Sequence, residues 1–273
     1  MGGADNICSD KTGTLTKNLM TVTKIFTETH VHESMDKEIM SDNTCRLLSL
    51  GICNNSNANP VITKNSNEQI GNKTECALLE MAFKMGYDYK KFRIRDKIKK
   101  IFPFSSQEKK MATIYEDDKG KMLCFVKGAP DFLLSCCTSY INADGKVSKI
   151  DAGFTNRLHE VIEEMAAGSL RTLLLVYKEV KALPEDWEEI KSDLVILAMV
   201  GIKDPLRDGI ADAVRACHEG GVRVRMVTGD NKKTAIAIAK EAGILDPNWV
   251  EVEGDCTVME GKDFRAFVGG LVN

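Results

Sequence analysis

The residues best suited to covalent chemistry lie near the N-terminus, in the string Asp10-Lys11-Thr12-Gly13-Thr14-Leu15-Thr16. The preceding Asn6-Ile7-Cys8-Ser9 reads as a short strand that ends at Asp10. Open α/β sheets place their reactive groups at such carboxyl ends. Gly13 lets the backbone bend, successive N–H groups can then wrap an oxyanion, and Lys11 adds positive charge. A carboxylate so placed is suited to attack phosphorus and form an aspartyl phosphate. The bland alternative is an Asp that only caps a turn; the full seven-residue string favours the nucleophile. A second feature is a basic window, Lys84 to Lys110, with ten Lys or Arg against Asp88, Asp96 and Glu108. It reads either as a solvated face or as a local site for an anionic ligand.

Metal and disulfide chemistry are less favoured. The nine cysteines are odd in number and contain no CxxC pair. Cys136 and Cys137 are adjacent, and others, such as Cys8, Cys76 and Cys124, sit in apolar runs, which predicts reduced, buried thiols. The four histidines show no ligand spacing beyond His30-Val31-His32, a pair expected at the surface.

These residues need a scaffold, and the composition allows a packed one. The 273 residues are 43% hydrophobic and 28% charged with a net charge of −3, which excludes a disordered chain and a polyanion binder of the whole surface. The longest apolar stretch, Leu194 to Val200, is far short of the ~20 residues of a membrane helix. The first residues lack the basic and apolar regions of a secretory leader.

The C-terminal part alternates strand and helix. Val195 to Val200 predicts a buried parallel strand. Asp208 is placed to cap a helix carrying Ile210, Ala213, Val214 and Cys217 on one stripe, stopped by Gly220-Gly221. Val222 to Val227 predicts the next strand, and Ala235, Ile238, Ala239 and Ala242 the stripe of a second helix. This βαβα order is that of an open parallel sheet. The middle predicts a separate α+β unit, with strands at Met111–Tyr115, Met122–Val126 and Thr172–Tyr177 and helices at Asn72–Lys84 and Thr155–Ala167. The expected organisation is therefore one domain, 1–23 plus 194–273, interrupted by another, 24–193.

The string DKTGTLT resembles the phosphorylation signature of the P-type ion-pumping ATPases. Further matches follow in order: GNKTECALL from Gly71, FPFSS from Phe102, KGAP from Lys127, LRT from Leu170, DPLR from Asp204 and TGDN from Thr228. The resemblance covers nearly all of the chain. It implies a haloacid-dehalogenase-like phosphorylation (P) domain, only partly present, interrupted by an inserted α+β nucleotide-binding (N) domain with an antiparallel sheet.

The resemblance also implies roles. Asp10 would accept the γ-phosphoryl group of ATP, with Lys11, Thr12, Thr228 and Gly229 completing the catalytic set. Asp10 and the Thr12 carbonyl would hold Mg²⁺. In the inserted domain Glu75 would bond the adenine amino group and Phe104 would stack on the base. Lys109, Lys127 and Gly128 would lie against the nucleotide, and Arg171 would hold the β-phosphate as a planar fork. Asp204 would contact the nucleotide or order its loop. Asp230 would help position Mg²⁺ or ATP, next to a helix start that favours an anion. Some relatives carry a basic residue at the position of Ser106.

Two departures are informative. Soluble dehalogenase-like phosphatases place an acid–base Asp two residues after the nucleophile, where this chain has Thr12, which suits a long-lived phosphoenzyme. The family's later Gly-Asp-Gly-x-Asn-Asp segment is not found, and Gly254-Asp255-Cys256 does not replace it. The expectation is thus an excised, soluble part of a multi-pass pump, facing the cytoplasm at the plasma membrane or an internal calcium store. The motifs look most like plasma-membrane-type calcium pumps, so Ca²⁺ is the expected cargo. Manganese or sodium–potassium pumps, or a phosphatase with a large cap, are the alternatives.

Overall fold

The structure is a computed structural model, and it describes residues 3–63, 67–105, 107–230, 232–252 and 254–269. Ser106 and Asn231 lie outside the described residues. The chain runs through β1 (Asn6–Asp10), β2 (Thr21–Thr27), β3 (His30–His32), α1 (Asp42–Asn54), β4 (Val61–Ile62), β5 (Asn67–Glu68), α2 (Lys73–Lys84), α3 (Tyr89–Phe92), β6 (Ile98–Ser105), β7 (Lys110–Glu116) and β8 (Met122–Gly128). It continues through α4 (Pro130–Leu133), β9 (Cys137–Ile141), β10 (Val147–Lys149), α5 (Ala152–Ala167), β11 (Arg171–Val180), β12 (Leu194–Lys203), α6 (Ile210–Glu219), β13 (Arg223–Val227), α7 (Lys232–Glu241) and α8 (Gly261–Phe267). It forms two compact units: residues 1–18, 167–169 and 204–273, and residues 19–166 and 170–203.

The larger unit is built on a nine-stranded sheet. Its order is β10-β9-β12-β11-β8-β7-β6, with β2 also on β12 and β3 on β2. All pairings are antiparallel except β12 with β9. Successive side chains of a strand point to opposite faces, and β8 shows the consequence. Leu123 and Phe125 pack with Leu48, Ile52, Leu78 and Leu79 of α1 and α2, whereas Cys124 and Val126 pack with Phe154, Leu158 and Val161 of α5. The sheet is therefore buried on both faces. Two N-caps fix the helices of the first face. Ser41 Oγ accepts from Thr44 N at 3.2 Å to start α1, and Asn72 Oδ1 accepts from Glu75 N at 3.1 Å to start α2. Such caps contribute ~1 kcal/mol each. Gly51 lets α1 approach the sheet, since a Cβ there would lie 2.6 Å from the Phe125 ring.

Three expectations are corrected. Val195–Val200 does not belong to a parallel sheet of the outer domain; it lies inside β12, central in the antiparallel sheet, where Leu175 faces Ala198 and Val200 faces Ile25. A continuous apolar run reports burial on both faces and does not say which sheet supplies it. The compact units accordingly divide after Asn18 and after Lys203, so 19–23 and 194–203 fall in the larger one. Asp208 does not cap α6, whose N-cap is Gly209; its carboxylate takes Lys17 Nζ at 2.9 Å instead. Cys8 is exposed, because β1 has only one neighbouring strand among the described residues.

In the smaller unit β1 and β13 pair in parallel, Asp10 opposite Val227. Arg223 and Arg225 alternate with half-buried neighbours on β13, as their charge requires. Gly220 caps α6 and Gly221, at φ 78°, turns the chain back into β13. The described residues contain this two-stranded parallel pair rather than a full dehalogenase-like sheet. No described helix is long and apolar enough to cross a membrane.

Candidate functional site

The smaller unit brings its motif residues to the ends of two strands. Because β1 and β13 are parallel and in register, Asp10 and Thr228 follow the same edge of the pair. Asp10 is exposed. The chain then makes one wide turn, Lys11–Leu15, in which Gly13 takes φ 79°. Thr16, fully buried, closes the turn: its Oγ1 accepts from Gly13 N at 3.2 Å and donates to Asp204 Oδ2 at 2.6 Å. Asp204 is thereby tied to the loop. Arg207 adds a second tie, donating from Nη2 to Gly13 O at 2.7 Å. Lys11 is buried, and its Nζ lies 2.7 Å from Asp230 Oδ2. That pair draws the Asp10 loop against the Thr228–Asp230 turn, where Asp230 N donates to Thr228 Oγ1 at 3.1 Å. The arrangement is an exposed carboxylate beside a fixed loop and a buried ammonium. Among the described residues no three His, Cys, Asp or Glu side chains assemble as a metal site.

The larger unit carries a second constellation around a buried ion pair. Strand alternation puts Lys127 on the same face as Leu123 and Phe125, beneath α1 and α2. Lys127 is 7% exposed and Glu75 6%. Lys127 Nζ donates to Glu75 Oε1 at 2.6 Å and to Asn55 O. Glu75 Oε2 accepts from Asn57 N at 2.8 Å and Ala58 N at 2.9 Å. Burial pushes the Glu75 carboxyl up, but Lys127 and the two N–H groups outweigh it and hold the group below the usual carboxylate range. Burial pulls the Lys127 ammonium below its usual value, with Glu75 opposing. Asn55 is locked beneath them, its Nδ2 3.3 Å from both Met111 O and Phe125 O and its Oδ1 accepting from Thr113 Oγ1 at 3.0 Å.

The other expected residues of the nucleotide site lie in the same unit. Arg171 opens β11 and reaches Thr74 Oγ1, next to Glu75, at 3.5 Å. Gly128 pairs with Lys110 on β7 and Leu174 on β11. A Cβ on Gly128 would lie 2.8 Å from Lys109 O, so this glycine serves strand packing directly. Lys109 takes φ 47°, its carbonyl accepts from Ala129 N at 3.1 Å, and its Nζ sits 5.7 Å from the Phe132 ring centroid. Phe104, on the edge strand β6, is 59% exposed.

The basic window resolves mostly into a solvated face. Lys84 pairs with Glu80, Lys97 with Asp118, Lys99 with Glu116 and Lys110 with Glu108. Three of these acids lie outside the window, so counting charge within it overstated its field. Sequence reasoning missed Asn55, the Asn57–Ala58 amides and Arg93. The only signal was the polar run Asn54-Asn55-Ser56-Asn57 after an apolar helix, of which the first three are buried.

Residues 43–209 match the family model described as P-type ATPase, cytoplasmic domain N. The chain belongs to the P-type ATPase family. The curated relatives of this family that it resembles include plasma membrane calcium-transporting ATPase 3 of Homo sapiens, 38% identical over 97% of this chain and 22% of that protein. Putative calcium-transporting ATPase 11, plasma membrane-type, of Arabidopsis thaliana is 38% identical, covering 97% of this chain and 26% of its own length. Calcium-transporting ATPase 5, plasma membrane-type, of Oryza sativa subsp. japonica is likewise 38% identical, at 97% and 25%. The chain spans about a quarter of the length of the curated relatives it matches. The P-type ATPase model begins in α1 and ends just before α6, so it spans the Glu75–Lys127 pair and Asp204 but not Asp10 or Thr228.

Proposed function

We propose that the larger unit is the ATP-binding N domain and the smaller one part of the P domain of a cation pump, with Ca²⁺ as the transported ion. The observation that carries the reading is the Glu75–Lys127 pair. A carboxylate offers about four acceptor positions and an ammonium three donors. Among the described residues Glu75 uses three and Lys127 two. The pair is left with one acceptor beside one donor. Adenine presents a complementary edge, an amino donor next to ring-nitrogen acceptors. Phe104 supplies a stacking face, worth ~1–3 kcal/mol for a base. Lys109 and Arg171 supply the cations for the phosphates.

Asp10 is the phosphoryl acceptor in this reading. A carboxylate oxygen of Asp10 attacks the γ-phosphorus of ATP, the bond from that phosphorus to the β–γ bridging oxygen breaks, and ADP leaves with the electron pair. Thr228 and Gly229 would steady the transferred group, and Lys11, held by Asp230, would face its charge. The carboxylate of Asp10 and the Thr12 carbonyl are hard oxygen donors on exposed residues of one loop, which suits Mg²⁺, an ion that takes few protein ligands. Bound there, Mg²⁺ would neutralise charge on the phosphates. The calcium specificity and a parent embedded in the plasma membrane rest on the names of the relatives. The test is ³²P labelling from ATP of the full-length protein and its Asp10→Asn variant. Acid-stable, hydroxylamine-sensitive label is expected only with Asp10, and label persisting in the variant overturns the assignment.

A further inference from the structure

Glu75 and Lys127 do not hold themselves in place. Both are fastened to one stretch, which runs from Cys53 in the last turn of α1 through the loop to Asn59. Its Asn57 and Ala58 amides hold Glu75, and its Asn55 carbonyl holds Lys127. The outer side of that loop is gripped by one side chain. Arg93 donates from Nε to Cys53 O at 2.8 Å, from Nη1 to Asn59 Oδ1 at 2.7 Å and from Nη2 to Ala58 O at 2.9 Å. Its guanidinium lies 4.7 Å from the Tyr89 ring centroid, and Tyr89 OH donates to Pro60 O at 2.9 Å. The backbone around Arg93 is fastened in return: Asn54 Nδ2 donates to Phe92 O at 3.0 Å, and Ile94 N donates to Asn54 Oδ1 at 3.1 Å.

We propose that Arg93 is a positioning residue for the base end of the pocket, clamping the 53–59 stretch so that its amides and carbonyl aim the Glu75–Lys127 pair at the nucleotide. This rests on the nucleotide reading above. The chemistry favours arginine specifically. Three acceptors in different directions are met by one rigid planar fork, whereas a lysine ammonium on a flexible stem is a point donor that cannot match them together. Arg93 touches no reacting atom. It acts through Ala58, whose carbonyl it holds and whose amide Glu75 uses.

The experiment is calorimetric titration of the full 273-residue chain with ATP and with adenosine monophosphate, for the unmutated chain, Arg93→Lys, Glu75→Gln and the double variant. Arg93→Lys is expected to weaken both ligands by about 3- to 10-fold, the scale of one hydrogen bond lost. Equal loss for the two ligands marks the base end; a loss confined to ATP would mean a phosphate contact and overturn the proposal. In the Glu75→Gln background the same substitution should cost less than about twofold, since residues acting as one network are non-additive. An undiminished loss there would mean that Arg93 acts independently of the pair, which refutes it. Asn59→Ala removes a single acceptor at an exposed position, and should give a smaller loss in the same direction if Arg93→Lys folds poorly. Amide exchange supplies a ligand-free readout: Asn57 and Ala58 should exchange faster in Arg93→Lys while the β11 amides do not change. Failure of the unmutated chain to bind ATP overturns the nucleotide reading itself and this inference with it. Binding by the unmutated chain with no effect of Arg93 overturns this inference alone.

Discussion

Lys127→Met removes the charge from the centre of the pocket while keeping most of the side-chain volume. Glu75 remains 6% exposed, with only the Asn57 and Ala58 amides to hold it. Removing one partner of a buried pair costs ~3–5 kcal/mol, because the survivor is left uncompensated. With a urea slope of ~2 kcal/mol/M, the midpoint should fall by about 1.5–2.5 M at neutral pH. The pH dependence is the sharper part. In the unmutated chain the folded Glu75 value lies below the unfolded one, so its contribution is present above the unfolded value, about 4.3, and is lost as pH falls through the folded value. In Lys127→Met the burial stays and the cation is gone, so the folded value moves above the unfolded one. The folded variant then binds more protons than the unfolded chain, and its stability declines as pH rises from about 4 toward 7. The deficit against the unmutated chain is therefore largest near neutrality and smallest near pH ~4. Adding Glu75→Gln removes the stranded charge yet keeps an oxygen for the two amides, and should recover stability at neutral pH and flatten the slope. Trp187 lies in the larger unit and Trp249 in the smaller, so urea titrations by fluorescence in a Trp249→Phe background follow the unit concerned. An unchanged midpoint at neutral pH, or a deficit that does not vary with pH, would show that the pair is not energetically coupled as described.

Phe104→Ala should weaken ATP binding about 5- to 150-fold while shifting the urea midpoint little, because the ring is already 59% exposed; an unchanged ATP titration rejects Phe104 as the stacking platform. Gly128→Ala should destabilise the larger unit by ~1–3 kcal/mol, since its Cβ would meet the backbone oxygen of Lys109 at 2.8 Å, an atom already fixed by Ala129 N. A urea midpoint equal to that of the unmutated chain would show that the strands part without cost.

What could be read from the chain differs sharply between its elements. Helix α2 was legible to within a residue, because an Asn cap, an acidic third position and an apolar stripe all lie within fourteen consecutive residues, Gly71 to Lys84. Strands β7, β8 and β11 were legible for the same local reason. Strand β12 was legible as a strand but not as a member of the right sheet. Its partners are Leu175 on one side and Ile25 and Tyr140 on the other, and nothing in an apolar run names partners so far away in sequence. The candidate site divides along the same line. Asp10, Glu75, Lys127 and Thr228 sit in strings that resemble family motifs, and the resemblance is what singled them out. Arg93 stood in a window with nine other basic residues and could not be told from Lys90 or Lys91 by type or position.

The physical distinction between those basic residues is what their charge is used for. A lysine on the rim of β6 or β7 reaches a carboxylate of the adjacent strand or turn, as Lys99 does with Glu116 at 2.8 Å, and such exposed pairs contribute about 0–1 kcal/mol. Among the described residues the guanidinium of Arg93 donates instead to two backbone carbonyls and an amide oxygen. Burial lowers its pKa from the usual guanidinium value, which for arginine still leaves it fully charged at neutral pH. A permanent cation spent on neutral acceptors fixes geometry in a way that salt does not screen. The buried pair needs that kind of support. Two amides and one carbonyl must stay within hydrogen-bond reach of a carboxylate and an ammonium, and a loop free to open would expose both charges to water. The backbone of residues 55–58 thus sets where Glu75 and Lys127 sit, and Arg93 holds that backbone from the other side.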